Sequence, residues 1–268
     1  MSEHQPLEQT AAFAVVRWRD GAAGPDTVRV ATEVPLTVVA NDIEIATISC
    51  TPALIPELVH GFLYTQGLIG GVGDVSSVVV DHARWRADAA IARTPDVGLL
   101  EKRLYTTGCG KGAQYATVFE LAARRPLETG FRVPVPVLDR LMGWLLGASE
   151  LHRETRGVHS AALAPEGSPP ASPIDDIGRH NAVDKVIGRA LTGGTDMASC
   201  VLASSGRVSS EILFKARRSG IPVIASFGAP THQAVLLARD MGLTLVGFAR
   251  GRGLTVFSHP ERVVNQGG

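Results

Sequence analysis

The segment Tyr105-Thr106-Thr107-Gly108-Cys109-Gly110-Lys111-Gly112 sets a thiol between two glycines, with an ammonium two residues further on. Glycine strips away side-chain cover and admits positive φ, so the sulfur can stand on an exposed turn. A nearby ammonium favours the thiolate, which is the nucleophilic form of cysteine. The chemistry open to Cys109 is therefore that of a thiolate nucleophile. A glycine-rich surface loop that merely contains a cysteine is the other account, and local sequence leaves both open. Cys50 and Cys200 sit in or beside apolar strand-like runs and read as inert core thiols.

A second group of candidates lies in the last third of the chain. Ser204-Ser205-Gly206-Arg207, Ser226-Phe227-Gly228-Ala229-Pro230 and Ala249-Arg250-Gly251-Arg252-Gly253 each follow a strand-like run. They combine hydroxyls, glycine and arginine, which suit phosphate oxygens. Three such loops on one sheet edge point to a phosphorylated or nucleotide-bearing ligand, because ligands of parallel α/β sheets bind beyond the strands' carboxyl ends. In Phe248-Ala249-Arg250-Gly251-Arg252-Gly253 two arginines could fork onto phosphates, although a solvated hairpin turn between Val246 and Val256 fits the spacing nearly as well. Arg179 and His180 open a helical run, where cations oppose the helix dipole. That mismatch suits either a ligand contact or a buried hydrogen-bond network.

The elements that must hold these groups follow from pattern. Residues 27–30, 36–39, 44–50 and 75–80 are strand-like, a helix spans Pro56 to Gln66, and residues 84–93 pair with a neighbour. An amphipathic segment covers 115–123. Pro126 to Pro136 holds three prolines and a glycine and marks a boundary between domains over residues 1–132 and 133–268. Helices are expected over 138–147 and 181–191, and a strand over 157–164. From Ser199 onward strands (200–203, 222–225, 244–248) alternate with helices (209–219, 231–241), which calls for parallel strands joined by right-handed crossovers. A last strand runs from Leu254 to Phe257. The chain is thus α/β, with a β-rich N-terminal part.

Composition narrows the function classes. The 268 residues carry no net charge, but residues 201–268 hold eight Arg or Lys against three Asp or Glu, a local excess that suits an anionic ligand better than nucleic-acid coating. Arg217 and Arg218 read as a solvated helix face. No run approaches the ~18 apolar residues of a membrane span, and the first residues do not form a secretory signal. Three widely spaced cysteines fit a reducing cytoplasm. His152-Arg153-Glu154 and His259-Pro260-Glu261 spell the H-x-E of zinc deaminases, but the chain has no P-C-x-x-C, and its histidines lack ligand spacing for a metal.

Longer strings carry a resemblance. Glu33-Val34-Pro35-Leu36, His60-Gly61-Phe62-Leu63, Gly157-Val158-His159-Ser160-Ala161-Ala162, the run from Asp176 to Lys185, Ser205 through Glu211, and Gly247 through Gly251 resemble the FdhD family of formate dehydrogenase accessory sulfurtransferases. The resemblance implies a carrier that takes persulfide sulfur from a cysteine desulfurase and passes it to the molybdenum cofactor, a bis(molybdopterin guanine dinucleotide), of formate dehydrogenase. It places the persulfide on Cys109 and the cofactor contact on Phe248, Ala249, Arg250, Gly251, Arg252 and Gly253. It also implies a C-terminal three-layer domain like the cytidine deaminase fold, and a homodimer. A cofactor-binding chaperone without catalysis is the competing reading. The chain departs from the common Cys-x-x-Cys loop, since Gly112 stands at the second position. A second thiol would discharge the sulfur by forming a disulfide behind it, and this loop has none.

Overall fold

The computed structural model of the chain describes residues 7–95, 126–250 and 253–265. Cys109, Lys111 and the segment over 115–123 lie outside the described residues, as do Gly251 and Arg252. The chain begins with a ribbon, β1 (Thr10–Arg19) and β2 (Ala22–Ala31), paired antiparallel from Thr10↔Ala31 to Arg19↔Ala22. Asp20 and Gly21 join them with φ of 51° and 81°, the two positive values of a type I′ turn. Sequence pattern shows only residues 27–30 as strand, because almost no ribbon residue is buried and no apolar alternation is required. The Asp-Gly pair was the available signal.

Next comes a four-stranded sheet of order β4-β3-β6-β5, built from β3 (Val34–Ala40), β4 (Ile43–Cys50), β5 (Val75–Asp81) and β6 (Arg86–Ile91). α1 (Ile55–Thr65) packs on it, and Leu58, Val59 and Leu63 join Leu36, Val38 and Ile45 in one core. The second sheet has order β13-β12-β11-β10-β8-β9, from β8 (His159–Pro165), β9 (Ile174–Asp176), β10 (Cys200–Ser204), β11 (Val223–Ser226), β12 (Thr244–Arg250) and β13 (Gly253–Ser258). The short β7 (Val133–Pro134) pairs in parallel with β14 (Val263–Val264). As the alternation requires, β10, β11 and β12 run parallel, while β8 and β13 are antiparallel to their neighbours.

Residues alternate across each strand, so this sheet buries both faces. Val201, Ala203, Val223 and Val246 meet α2 (Val135–Ala148) through Leu138, Leu141 and Leu145. Leu202, Ile224 and Leu245 meet α4 (Arg179–Thr192), α5 (Ser210–Arg218) and α6 (His232–Asp240). The result is a β-rich N-terminal part followed by a three-layer α/β sheet, the expected class. Sequence pattern misses β9 and α3 (Glu150–Thr155), both too short to show a period.

The two sheets meet where α1 crosses α4. A Cβ on Gly61 would lie 1.8 Å from the Asp184 carbonyl oxygen, and one on Gly188 would lie 1.9 Å from the Glu57 carbonyl oxygen. The helices therefore touch backbone to backbone. Buried ion pairs flank the crossing. Lys185 Nζ lies 2.6 Å from Asp176 Oδ2 and donates to Thr51 Oγ1 at 2.7 Å. On the other side Lys215 Nζ lies 2.6 Å from Asp184 Oδ2, whose carboxylate also accepts from Thr65 Oγ1 at 2.8 Å. Arg218 corrects the expectation of a solvated face. Its guanidinium sits 5.1 Å from the centre of the Tyr64 ring and donates to the Ile69 carbonyl at 2.8 Å, because the last turn of α5 packs against the end of α1. Arg217 is likewise half-buried.

A methyl group at this crossing has nowhere to go. Gly61→Ala and Gly188→Ala should each cost about 3 kcal/mol, read as a fall in the denaturant midpoint. A loss below 1 kcal/mol in both would show that the helices can separate without penalty.

Candidate functional site

The carboxyl ends of β10, β11 and β12 form one rim, and the loops after β10 and β11 lie side by side there. Val208 bridges Pro230, and the Thr231 amide donates to the Val208 carbonyl at 3.0 Å. A Cβ on Gly228 would lie 2.8 Å from Arg207 Cα, and one on Gly247 would lie 3.0 Å from Pro230 Cδ. At Gly228 the loop after β11 is thus packed directly on the backbone of the loop after β10. Ser204 and Ser226 shape these loops from below. Ser204 Oγ accepts from the Gly206 amide at 3.2 Å, and Ser226 Oγ accepts from the Gly228 amide at 3.0 Å while donating to the Gly206 carbonyl. Both are buried, so these two hydroxyls serve the backbone and not a ligand. Phe227 is buried in the core on the α2 side.

At one end of the rim the β12–β13 hairpin carries Phe248, which is 52% exposed and has φ of 53°. A bulky residue in the left-handed region is strained, and such strain persists where surrounding structure enforces it. Here it coincides with a break in strand register between Gly247 and Arg250. The Phe248 ring lies 6.0 Å from Phe257, tilted against it. Ala249 is buried, Arg250 closes β12 by pairing with Gly253, and Gly251 and Arg252 are outside the described residues.

At the other end, the first turn of α4 brings Arg179 against the loop after β10. A Cβ on Gly206 would lie 2.9 Å from Arg179 Cδ and 3.4 Å from His159 Nδ1. Arg207 is exposed beside them. His180 turns inward, its Nε2 3.2 Å from Ser209 Oγ and 3.5 Å from Glu211 Oε2. Of the two explanations for its place in the first turn, the contacts are those of a hydrogen-bond network. His159 was not singled out by residue chemistry. The signal lay in direction: β8 is antiparallel to β10, with Ser204 opposite Ala161, so the start of β8 reaches the rim where β10 ends. Among the described residues no group of three His, Cys, Asp or Glu is placed to hold a metal ion, and no helix is long and apolar enough to cross a membrane.

The sequence over residues 31–264 matches the model of the FdhD/NarQ family. The chain is similar to the sulfur carrier protein FdhD of Staphylococcus aureus strain MRSA252, with 36% identity over 255 residues, 94% of this chain and 95% of that protein. The protein of the same name from strain bovine RF122 / ET3-1 is 37% identical over 256 residues, with the same coverage. A crystal structure from Desulfotalea psychrophila, assigned as a formate dehydrogenase accessory protein, superposes with a TM-score of 0.79 at 27% identity. The match covers 96% of this chain and all of that one.

The ground beneath the rim is electrostatically poised. Burial lowers the pKa of His180 from its ordinary 6.5 to about 4; Glu211 opposes this, while Lys215, Arg179 and His159 add to it. Burial, with Arg179 beside it, also holds His159 below the ordinary range. A depressed histidine pKa favours the native state above the unfolded-state pKa. That contribution is lost as the pH falls from 6.5 towards 4, where the unfolded chain binds the extra proton. His180 alone should remove about 3 kcal/mol over this window. Urea unfolding from pH 7 to 4 should show that slope in the native chain and a shallower one in His180→Gln; equal slopes would contradict the assignment.

Proposed function

Because this chain belongs to the FdhD/NarQ family, we propose that it carries sulfur for the maturation of a formate dehydrogenase, with Cys109 as the carrier. The observation that supports Cys109 most directly is the condition of the other two thiols. Cys50 and Cys200 are both buried, and burial pushes their pKa values up to about 12 and about 11. Neither offers a thiolate near neutral pH. Cys109 is the one remaining cysteine of the chain, and its glycine neighbours and Lys111 suit a reactive thiolate.

In the loading step the Cys109 thiolate attacks the outer sulfur of a persulfide on a cysteine desulfurase. The donor's S–S bond breaks, the donor cysteine leaves as thiolate, and a persulfide forms on Cys109 with no net oxidation. Release of that sulfur as sulfide takes two electrons. With Gly112 in place of a second cysteine, they must come from an external thiol or from the metal centre that accepts the sulfur. The acceptor in this reading is the molybdenum cofactor, Mo-bis(molybdopterin guanine dinucleotide), bound as substrate. Phe248 through Gly253 would meet it at the rim, with the guanidiniums of Arg250 and Arg252 suited to its phosphates. The absence of a second loop thiol favours one alternative, a chaperone that binds the cofactor and hands it over without sulfur transfer.

Incubation with a cysteine desulfurase and cysteine should add one sulfur atom to the intact protein by mass spectrometry. The sulfur should map to Cys109, be lost to a thiol reductant, and still appear in the Cys50→Ala and Cys200→Ala variants. Cys109→Ala should leave formate dehydrogenase unactivated in cells. Full activation by Cys109→Ala would instead establish the chaperone reading.

A further inference from the structure

α5 begins at an N-cap serine whose hydroxyl does not cap the helix. Ser149 Oγ accepts from the His152 amide at the start of α3, and Thr231 Oγ1 accepts from the Ala234 amide at the start of α6. Ser209 holds the same place on α5, yet its side chain makes no such bond. A capping serine ordinarily stabilises its helix by about 1 kcal/mol. The Ser209 hydroxyl is turned instead to His180 Nε2, 3.2 Å away on the first turn of α4.

The imidazole is itself held from the other side. Glu211 Oε2 lies 3.5 Å from the same Nε2. A carboxylate only accepts, so the imidazole proton sits on Nε2, facing both oxygens. Glu211 Oε1 lies 3.7 Å from Lys215 Nζ, and Lys215 holds Asp184 at 2.6 Å. Glu211, Lys215 and Asp184 are all buried. His180 is therefore the outer end of a chain of contacts that starts at the crossing of α1 and α4.

Ser209 in turn governs what precedes it. Val208 is buried, bridges Pro230, and accepts from the Thr231 amide at 3.0 Å. Gly206, two residues earlier, takes the Ser226 hydroxyl on its carbonyl, and the same hydroxyl accepts from the Gly228 amide. A shift of Ser209 would thus reach the loops after β10 and β11 together. We propose that His180 is a positioning residue for the rim: by holding the Ser209 hydroxyl it sets the path of Ser205 to Val208, and through Val208 that of the loop after β11. A local cap would have fixed only α5. The bond to His180 ties the loop to α4 as well, and so keeps the exposed Arg207 in a set place beside Arg179. This placement stands on the contacts themselves; only its effect on a ligand rests on the sulfur-carrier reading.

Amide hydrogen exchange of the full chain tests it. His180→Leu and Ser209→Ala should each speed exchange at the Gly206, Gly228 and Thr231 amides roughly tenfold, with Leu202 and Ile224 in the sheet beneath unchanged. His180→Gln keeps a donor at similar reach and should restore slow exchange. Combining His180→Leu with Ser209→Ala should add nothing to either change alone. Equal acceleration at all five amides would assign His180 to overall stability, and rim amides unchanged in both single variants would leave it no part in the loops; either result overturns the proposal. In calorimetric titration, guanosine diphosphate should bind His180→Leu about tenfold more weakly than the native chain, and His180→Gln with native affinity. A native chain that binds no guanosine diphosphate would count against the phosphate reading of the rim, while the exchange result would still decide the role of His180.

Discussion

The fold hangs on the place where α1 and α4 meet backbone to backbone. Gly61 and Gly188 allow the approach, and the adjacent residues Asp184 and Lys185 make it specific by reaching in different directions. Lys185 fixes β9 and the start of α1 through Asp176 and Thr51, while Asp184 fixes α5 through Lys215. Burying four charges is expensive, and a hydrophobic replacement could match their stability, so what they contribute is position. Removing one partner of either pair would strand the other without water, at a cost of about 3–5 kcal/mol.

Position is what the candidate site requires. α4 is held along its middle by these contacts, so its first turn is fixed, and with it Arg179 beside Gly206. The antiparallel run of β8 delivers His159 to the same place. The other end of the rim is built on strain instead, with Phe248 held exposed in a conformation that a free chain would avoid. One end of the rim is thus determined by the interface between the two sheets, the other by a local break in strand register.

The sequence was most legible where local pattern and global burial agree. The alternation after Ser199 yields β10, α5, β11, α6 and β12 nearly residue for residue, because each strand is buried on both faces and each helix ends at a glycine in the left-handed region, Gly220 and Gly242. The rim loops after β10 and β11 follow from that order. What was not legible depends on contacts far apart in the chain. Nothing near Arg218 announces Tyr64, and nothing near His180 announces Glu211. Ser204 and Ser226 look like ligand hydroxyls in sequence, and only the backbone amides above them show otherwise. The ribbon outside residues 27–30 was missed because it packs on no internal core, and so leaves no periodic trace.

Pro25 sets a limit on what the ribbon can become. A two-stranded element with two clean edges would add copies at both sides and grow as a filament, since each new strand would present another template. At Pro25 the outer edge of β2 has no donor to offer. Counted from the hydrogen-bonded Arg19↔Ala22 pair at the turn, Pro25 falls at an outward position, so no further strand finds a full set of partners on that side. One residue without a backbone donor thus keeps the ribbon from spreading across the outer edge of β2.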